Sequence, residues 1–238
     1  MWPNRRLLDL LEIELPIIQA PMAGAGGSAL ATAVSKAGGL GSLPCAMLDE
    51  AQMRAEAGII RQQTANPFNM NFFCHTPVAA TAAQQAAWTA RLAPFYDEAG
   101  LDSRAVAPAP HRRAFDAEMC ALVEDIKPEV VSFHFGLPEP ALLDRVRATG
   151  ARVLSSATTV AEARWLAERG VDAVIAQGYE AGGHRGMFLS RDITAQPGVM
   201  ALVPQIVDAV EVPVIAAGGI ADGRGIAAAF ALGAAGVQ

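Results

Sequence analysis

The chain repeats one pattern of hydrophobic and polar positions: an amphipathic helical stretch ends at glycine, and a short apolar run follows within a few residues. The pattern is clearest at 33–43, 145–156, 165–178 and 229–238. Glycine readily takes the left-handed conformation that ends a helix. Because the runs that follow are apolar at nearly every position, they resemble strands covered on both faces. Helix and strand in alternation predict a parallel sheet.

The apolar runs are assigned to strands, of which the last is short. Complete strands are predicted at 17–21, 40–43, 69–74, 130–135, 152–155, 173–177 and 214–217, and a further strand begins at Gly236. The stretch 76–128 is too long for one crossover, so helices are predicted within it at 79–93 and 115–126. Thr159 is a candidate N-cap for the helix after the fifth strand, with Glu162 placed to complete a capping box.

These elements predict an α/β fold, a (β/α)₈ barrel of the TIM type that is incomplete because its eighth strand is cut off at the C-terminus. A doubly wound open sheet is the alternative architecture. The steady alternation of strands and helices, with glycine-rich loops after several strands, favours the barrel. No break in composition indicates a linker, so residues 1–238 are predicted to form one domain.

The composition of the chain bears on which partners and which cellular location are expected. With a net charge of −6 and no run of Lys or Arg, the sequence gives no electrostatic support for a nucleic-acid partner. The longest apolar runs, about a dozen residues, are too short to span a bilayer, and no signal peptide is evident. The spacings of Cys45, Cys74 and Cys120 match neither a disulfide framework nor a metal site, so a reducing cytoplasm is the expected location.

Candidate chemistry gathers at one end of the predicted strands. In both architectures, ligands bind at the C-terminal ends of the strands. His75, His134 and His184 all lie at or just past such ends, together with several unusual glycines. Neither a nucleophile elbow nor a metal-binding spacing is present, so electron-transfer chemistry would have to come from a cofactor.

Glycine pairs occur in the loops after the sixth and seventh predicted strands. They are Gly182 with Gly183 and Gly218 with Gly219. Without side chains, their backbone N–H groups can approach an anion closely. The second pair also precedes a helix opened by Asp222, and a helix N-terminus favours phosphate. Each pair alone is compatible with a simple tight turn, but two pairs on one rim favour a phosphate site.

The polar side chains at this face have two interpretations each. His184 lies in a loop, where a neutral imidazole can take a proton near pH 7, or where a carboxylate such as that of Glu180 holds it as a structural residue. His134 ends a buried strand and points either into the barrel mouth or into packing. Asn71 and Gln177 are amides in apolar strands, and their partners are either the edge of a heterocycle or another layer of the barrel.

Several stretches occur in a characteristic order: QAPMAG at 19–24, AVSKAGGLGSL at 33–43, NPFNMNFFC at 66–74, VVSFHFGLP at 130–138, GYEAGGHRG at 178–186 and PVIAAGGIADGRGIAAAFALGAAGVQ at 213–238. Together they resemble the nitronate monooxygenases, formerly called 2-nitropropane dioxygenases, over essentially the whole chain. The resemblance implies an enzyme with a TIM barrel and non-covalently bound FMN. It also implies the oxidation of alkyl nitronates, such as propionate 3-nitronate, by O₂ to a carbonyl compound and nitrite.

The resemblance implies roles for individual residues. His184 matches the family's active-site histidine and His134 a second histidine near the flavin, so both are predicted catalytic residues. Ala20, Pro21 and Met22 match positions that flank the flavin ring. The other cofactor-binding positions, predicted from the resemblance and from the glycine pairs, are Asn71, Gln177, Gly182, Gly183, Gly218, Gly219 and Gln238.

The family pattern extends beyond Gln238, into a Gly-Thr turn, the rest of the eighth strand and a helical segment. A barrel without those residues is expected to leave unpaired edges on its first and seventh strands. The chain is therefore expected to hold FMN only weakly by itself, and the activity is expected of the complete parent.

Other functions stay open at the level of the sequence. A flavin-dependent enoyl-acyl-carrier-protein reductase shares the AVSKAGGLG and EAGGH stretches and would need NAD(P)H. An NADH:quinone reductase is a second redox alternative, and a non-catalytic flavin-binding protein is an alternative of another class. The oligomeric state is also open.

Overall fold

The computed structural model describes residues 2, 4–77, 80–102 and 112–238. The chain divides into two compact units, of which one comprises Met1–His75 with Arg113–Gln238 and the other comprises Thr76–Arg112. The first unit holds the sheet, and the described part of the second holds a single helix. The organisation of residues 1–238 as one domain stays a prediction.

The sheet of the first unit is parallel throughout, and each strand pairs with the next one along the chain. Its strands are β1 (Gly41–Pro44), β2 (Phe68–Phe73), β3 (Val130–His134), β4 (Arg152–Ala157), β5 (Ala173–Gln177), β6 (Val214–Ala217) and β7 (Gly236–Val237). The predicted bounds of β5 and β6 are confirmed, and the other predicted bounds differ by one or two residues. The strand interiors are buried, as their continuous apolar character predicts.

The segment at Ile17 and Ile18 joins the two edges of this sheet. Ile17 forms a parallel bridge with Val237 in β7, and Ile18 forms one with Leu40 next to β1. The Ile18 N–H donates to the Val237 carbonyl oxygen at 2.8 Å, and the Leu40 N–H donates to that of Ile17 at 3.0 Å. The predicted first strand, 17–21, is thus reduced to two bridges. The expectation of unpaired edges is wrong for the described residues, because this segment hydrogen-bonds to both sides.

Helices lie between the strands and precede the first one. They are α1 (Arg6–Leu11), α2 (Ser28–Lys36), α3 (Glu50–Gln63), α4 (Ala82–Ala99), α5 (Ala117–Ile126), α6 (Pro140–Ala148), α7 (Val160–Glu168), α8 (Val199–Val207) and α9 (Gly223–Ala231). In the part of the chain that the structure describes, none of these helices is long and apolar enough to cross a membrane.

α1 closes the N-terminal end of the barrel. Its Leu7, Leu8 and Leu11 are at most 2% exposed and belong to one buried cluster with the strand residues Val130 and Ala173. Leu7 also lies against Gly236, the first residue of β7, so α1 packs at the end where the strands begin. Ligand access is therefore left to the opposite end, where the strands finish.

α4, in the second unit, continues through Pro94 to Ala99, beyond its predicted end at 93. A proline inside a helix removes one backbone hydrogen bond. None of the described α4 side chains is buried, so water can satisfy the carbonyl oxygen that Pro94 leaves unpaired. The helix ends at Gly100, whose left-handed conformation (φ 67°) is the stronger stop signal. The predicted start of the helix, at 79, lies outside the described residues.

Candidate active site

Three of the predicted site residues, His134, Gln177 and His184, meet at the loop that follows β5, which spans 178–198. The carbonyl oxygen of His184 accepts two hydrogen bonds from side chains at strand ends. One comes from His134 Nε2, at the end of β3, and the other from Gln177 Nε2, at the end of β5, at 3.0 and 2.9 Å. The side chains of His134 and Gln177, which end two different strands, therefore fix one backbone atom of His184.

The hydrogen bonds of His134 determine its tautomer. A carbonyl oxygen only accepts, so Nε2 must carry the proton that it donates to His184. In the neutral ring, Nδ1 is then the acceptor, and it lies 3.0 Å from the hydroxyl oxygen of Ser156 in β4. Both ring nitrogens are occupied. The predicted catalytic role of His134 is better described as holding the loop of His184, because its lone pair is engaged by Ser156.

Burial lowers the pKa of His134 to about 4, against the opposing effect of its hydrogen bond to the His184 backbone. The nearby His184 and Arg185 side chains add to the lowering because they disfavour another positive charge. His134 is therefore neutral at physiological pH, in agreement with the tautomer that its hydrogen bonds require.

Gly186 allows the loop to approach these strand ends closely. Its N–H donates to Gln177 Oε1 at 2.7 Å. A Cβ at this position would lie only 2.6 Å from His134 Cε1 and 3.2 Å from Gln177 Oε1. A side chain is therefore excluded at Gly186. The oxygen and one N–H of the Gln177 amide are both hydrogen-bonded to the loop. The two sequence-based alternatives for Gln177, a heterocycle edge or another barrel layer, did not include this partner.

The imidazole of His184 is exposed at the barrel mouth beside an aromatic cluster. Its ring centroid lies 5.4 Å from that of Phe73 and 6.0 Å from that of Phe135, both edge-on. The cluster also includes His75, whose ring contacts the same two phenylalanines. Within the described residues, His75 Nδ1 is buried without a hydrogen-bond partner. Three of the predicted histidines thus share one apolar wall.

Phe135 reaches this wall through a strained backbone. Its φ is 69°, in the left-handed region that a bulky residue rarely adopts. Its ring lies 4.5 Å from that of His134 and 5.2 Å from that of Phe73, measured between centroids. Strained residues of this kind concentrate at functional sites, where the surrounding contacts hold them. No sequence signal distinguishes Phe135 from the packing phenylalanines before it.

The two glycine pairs lie on adjacent loops. A Cβ on Gly218 (φ 130°) would be 3.0 Å from the Ala181 nitrogen, next to Gly182 and Gly183. Nothing lies within 4 Å of the Cβ position of Gly182, and Gly183 has a φ of 74°. The backbone around the first pair is therefore open. At the second pair, Asp222 already accepts from two N–H groups of α9, so an anion there depends on N–H groups nearer to Gly219.

The remaining predicted positions are dispersed around the mouth. Asn71 Nδ2 donates to Ser132 Oγ at 2.9 Å, which is the bond between layers that the sequence left as one alternative. Ala20 and Pro21 are half-buried just past the Ile17–Ile18 bridges, and Met22 is 44% exposed. Gln238 follows β7, and its N–H donates to the Ala216 carbonyl oxygen at 2.8 Å.

Two carboxylates on this side of the barrel act on backbone N–H groups. Glu180 Oε2 accepts from the Val199 N–H at 2.8 Å and so caps the start of α8. Thr159 caps α7 as predicted, but the Glu162 carboxylate does not complete the capping box on Thr159. It accepts instead from Thr158 and from the loop at Phe188. The expectation for Glu162 was wrong because its partners lie in a loop whose path the sequence does not reveal.

Arg185 ties the two ends of the loop together. Its Nη1 donates to the Gly178 carbonyl oxygen, and its Nε donates to Gln196 Oε1 at 3.0 Å. Burial lowers the pKa of this guanidinium, and the charges of Glu162 and Glu180 oppose that effect. Within the described residues, Arg185 Nη2 is buried without a partner.

The chemistry of the mouth fits the flavin expected from the sequence. A flat apolar ring system can pack beside Phe73 and Phe135, and the open glycine backbone at 182–183 leaves room for a phosphate. Gln177 is the last residue of β5, and Asn71 lies inside β2, two residues before its end. In the described ranges, no three His, Cys, Asp or Glu side chains are grouped so that they could hold a metal ion.

Comparison with known proteins agrees with the fold and gives the family of the chain. The family model for nitronate monooxygenase matches residues 4–238. A nitronate monooxygenase of Paraburkholderia phytofirmans is 45% identical over 99% of this chain and 64% of its own length. The nitroalkane oxidase of Streptomyces ansochromogenes superposes with a TM-score of 0.87 at 39% identity, over 98% of this chain and 66% of that one.

A less similar solved structure also matches this chain over its whole length. FabK from Thermotoga maritima superposes with a TM-score of 0.73 at 33% identity, over 100% of this chain and 61% of that one. The chain thus spans about two thirds of the length of the relatives that it matches. Its TIM-barrel fold, the ordered motifs and the match to the family model agree, and the chain belongs to the nitronate monooxygenase family.

Proposed function

We propose that this barrel oxidises alkyl nitronates with O₂ to a carbonyl compound and nitrite, with propionate 3-nitronate as the expected substrate. One observation supports this most strongly: the His184 imidazole is exposed at the mouth, while His134 and Gln177 fix its backbone from beneath. The names of the relatives point to the same chemistry. The activity is proposed for a protein of the relatives' full length, of which this chain spans about two thirds.

Membership of this family implies a flavin cofactor, and we propose FMN. The residues proposed to hold it are Ala20, Pro21, Met22, Asn71, Gln177, Gly182, Gly183, Gly218, Gly219 and Gln238. When bound, the flavin would supply the redox chemistry that no side chain of the mouth can supply. A cytoplasmic location is part of the same proposal, and the three cysteines of the described chain are free thiols.

His184 is proposed to act on the substrate directly. Its imidazole can donate a hydrogen bond to a nitronate oxygen, or take the α-proton from a neutral nitroalkane. His134 stays neutral beneath it and leaves this proton transfer to His184, since both of its own nitrogens are engaged. Phe73 and Phe135 exclude water from one side of the site, which strengthens these polar interactions.

A flavin-dependent enoyl-acyl-carrier-protein reductase is the second candidate, because the chain shares the AVSKAGGLG and EAGGH stretches with that group. Such an enzyme would oxidise NAD(P)H. Consumption of NADH without nitrite release would therefore favour it.

Substitution of His184 tests the proposal. In a version extended to the relatives' length, His184→Asn is expected to lower kcat/KM for nitrite release by about 10²–10⁴-fold, the range for loss of a general acid–base group. The flavin spectrum should be unchanged. His75→Asn is the matched control at the same aromatic wall, and it should cause a much smaller loss. Equal losses in both variants would remove the special role of His184.

A further inference from the structure

Glu162, near the start of α7, is the one charged side chain in the described chain that is buried, at 1% exposure. An ionised carboxylate is costly to bury unless hydrogen bonds satisfy it. Here both oxygens have donors. Oε2 accepts from the Thr158 N–H and from Thr158 Oγ1, each at 2.7 Å. Oε1 accepts from the N–H groups of Phe188 and Leu189, at 2.7 and 3.2 Å.

These bonds connect the start of α7 to the loop that presents His184. Thr158 follows the end of β4, whereas Phe188 comes four residues after His184 in the loop 178–198. The carboxylate therefore bridges two loops at the C-terminal rim of the barrel. Donors on both sides point at one group, so removing the carboxylate would leave the buried Thr158 N–H and the partly buried N–H groups of the loop without their acceptor.

Side chains supply the hydrogen bonds that hold this stretch of the loop. Across 182–191, no backbone-to-backbone hydrogen bond joins two residues that the structure describes. Between described residues, this stretch is held at the His184 carbonyl oxygen, at the Gly186 N–H by Gln177, and at the Phe188 and Leu189 N–H groups by Glu162. The Arg185 side chain adds bonds to Gly178 and Gln196. Glu162 holds the loop at Phe188 and Leu189, beyond the Gln177 anchor at Gly186.

We propose that Glu162 is a positioning residue for His184: it anchors the loop at Phe188 and Leu189 and so holds the imidazole at the barrel mouth. This inference rests on the proposed function. Glu162 does not reach the substrate, so its effect passes through the backbone. Misplacement of a reacting group by about 1 Å can cost about 10²-fold in rate.

Three substitutions separate positioning from general stability. Glu162→Ala removes the anchor on both sides. Glu162→Gln keeps one oxygen, which can still accept from Phe188 and Leu189. Its amide NH₂ can donate to Thr158 Oγ1, but the Thr158 N–H loses its acceptor. Thr159→Ala removes the N-cap of α7 and destabilises the same helix start without touching the loop.

The measurements are amide hydrogen exchange at Phe188 and Leu189, thermal stability, and kcat and KM for nitrite release from propionate 3-nitronate. The extended, flavin-bound protein is used throughout. Glu162→Ala is expected to speed exchange at both amides and to lower kcat/KM by about 10- to 100-fold. Glu162→Gln should recover most of that loss. Thr159→Ala should lower the stability but leave the exchange at these amides and the kinetics close to wild type.

Two results would overturn the proposal. One is unchanged exchange at Phe188 and Leu189 in Glu162→Ala. The other is a loss of kcat/KM in Thr159→Ala as large as in Glu162→Ala, which would make the effect one of stability. If the wild-type protein releases no nitrite, the proposed function fails, and the exchange comparison alone then decides whether Glu162 anchors the loop. If Glu162→Ala does not fold, Glu162→Gln compared with Thr159→Ala gives the same decision from the exchange rates.

Discussion

At the scale of single residues, the mouth is organised by side chains that bind backbone atoms of one loop. His134 and Gln177 hold the carbonyl oxygen of His184, and Glu162 holds the N–H groups that follow. Each of these side chains projects from a strand end or a helix start, which are the rigid parts of a barrel. The rigid scaffold thus sets the position of a loop that has no secondary structure of its own around His184.

The depressed pKa of His134 makes stability depend on pH. Its pKa is about 4 when folded and about 6.5 when unfolded, so the unfolded chain binds the extra proton first. The stabilisation that neutral, buried His134 contributes is fully present above pH 6.5 and is lost as the pH falls towards 4. On the order of 1–3 kcal/mol should disappear across this window. Urea unfolding at several pH values should show a flatter profile for His134→Gln. An equally steep profile in that variant would assign the effect to other groups.

At the scale of elements, α1 depends on burial because a helix of six residues is too short to be stable alone. Leu7 is fully buried in the cluster that closes the barrel, and Leu10 packs only at its edge. Leu7→Ala is expected to lower the free energy of unfolding by about 2–5 kcal/mol, the usual cost of a core cavity. The matched control Leu10→Ala should cost less than about 1.5 kcal/mol. Denaturant unfolding measures both, and similar losses would show that α1 does not close the barrel.

Two strands, β5 and β6, could be predicted closely because each is a short, mainly apolar run that ends directly before a glycine. β5 and β6 have the predicted bounds for this reason. The segment 17–21 was predicted as a strand, but only Ile17 and Ile18 pair, since the chain turns into the glycine-rich loop beyond them. α4 extends beyond its predicted end at 93 because Pro94 lies in a helix turn that faces water.

At the scale of the whole molecule, the alternation of strands and helices predicted which end of the barrel holds the site. It did not predict the hydrogen bonds that join the strand ends to the loop of His184. His134 and Gln177 were assigned to strand ends, and the structure brings both to the loop of His184. The bond from Glu162 to Phe188 joins residues 26 positions apart, through a loop without a repeating pattern. No pattern of hydrophobic and polar positions encodes such a path. The family resemblance predicts a role for His184, and the structure shows which side chains hold its loop.

In the proposed function, the flavin of this barrel is reduced by a nitronate and not by a nicotinamide cofactor. This claim is tested most directly by the absorbance of the bound flavin in the extended protein, recorded anaerobically before and after one substrate is added. Propionate 3-nitronate is expected to bleach the flavin absorbance, and NADH at the same concentration is expected to leave it unchanged. Bleaching by NADH with no response to the nitronate would contradict the account and favour the reductase.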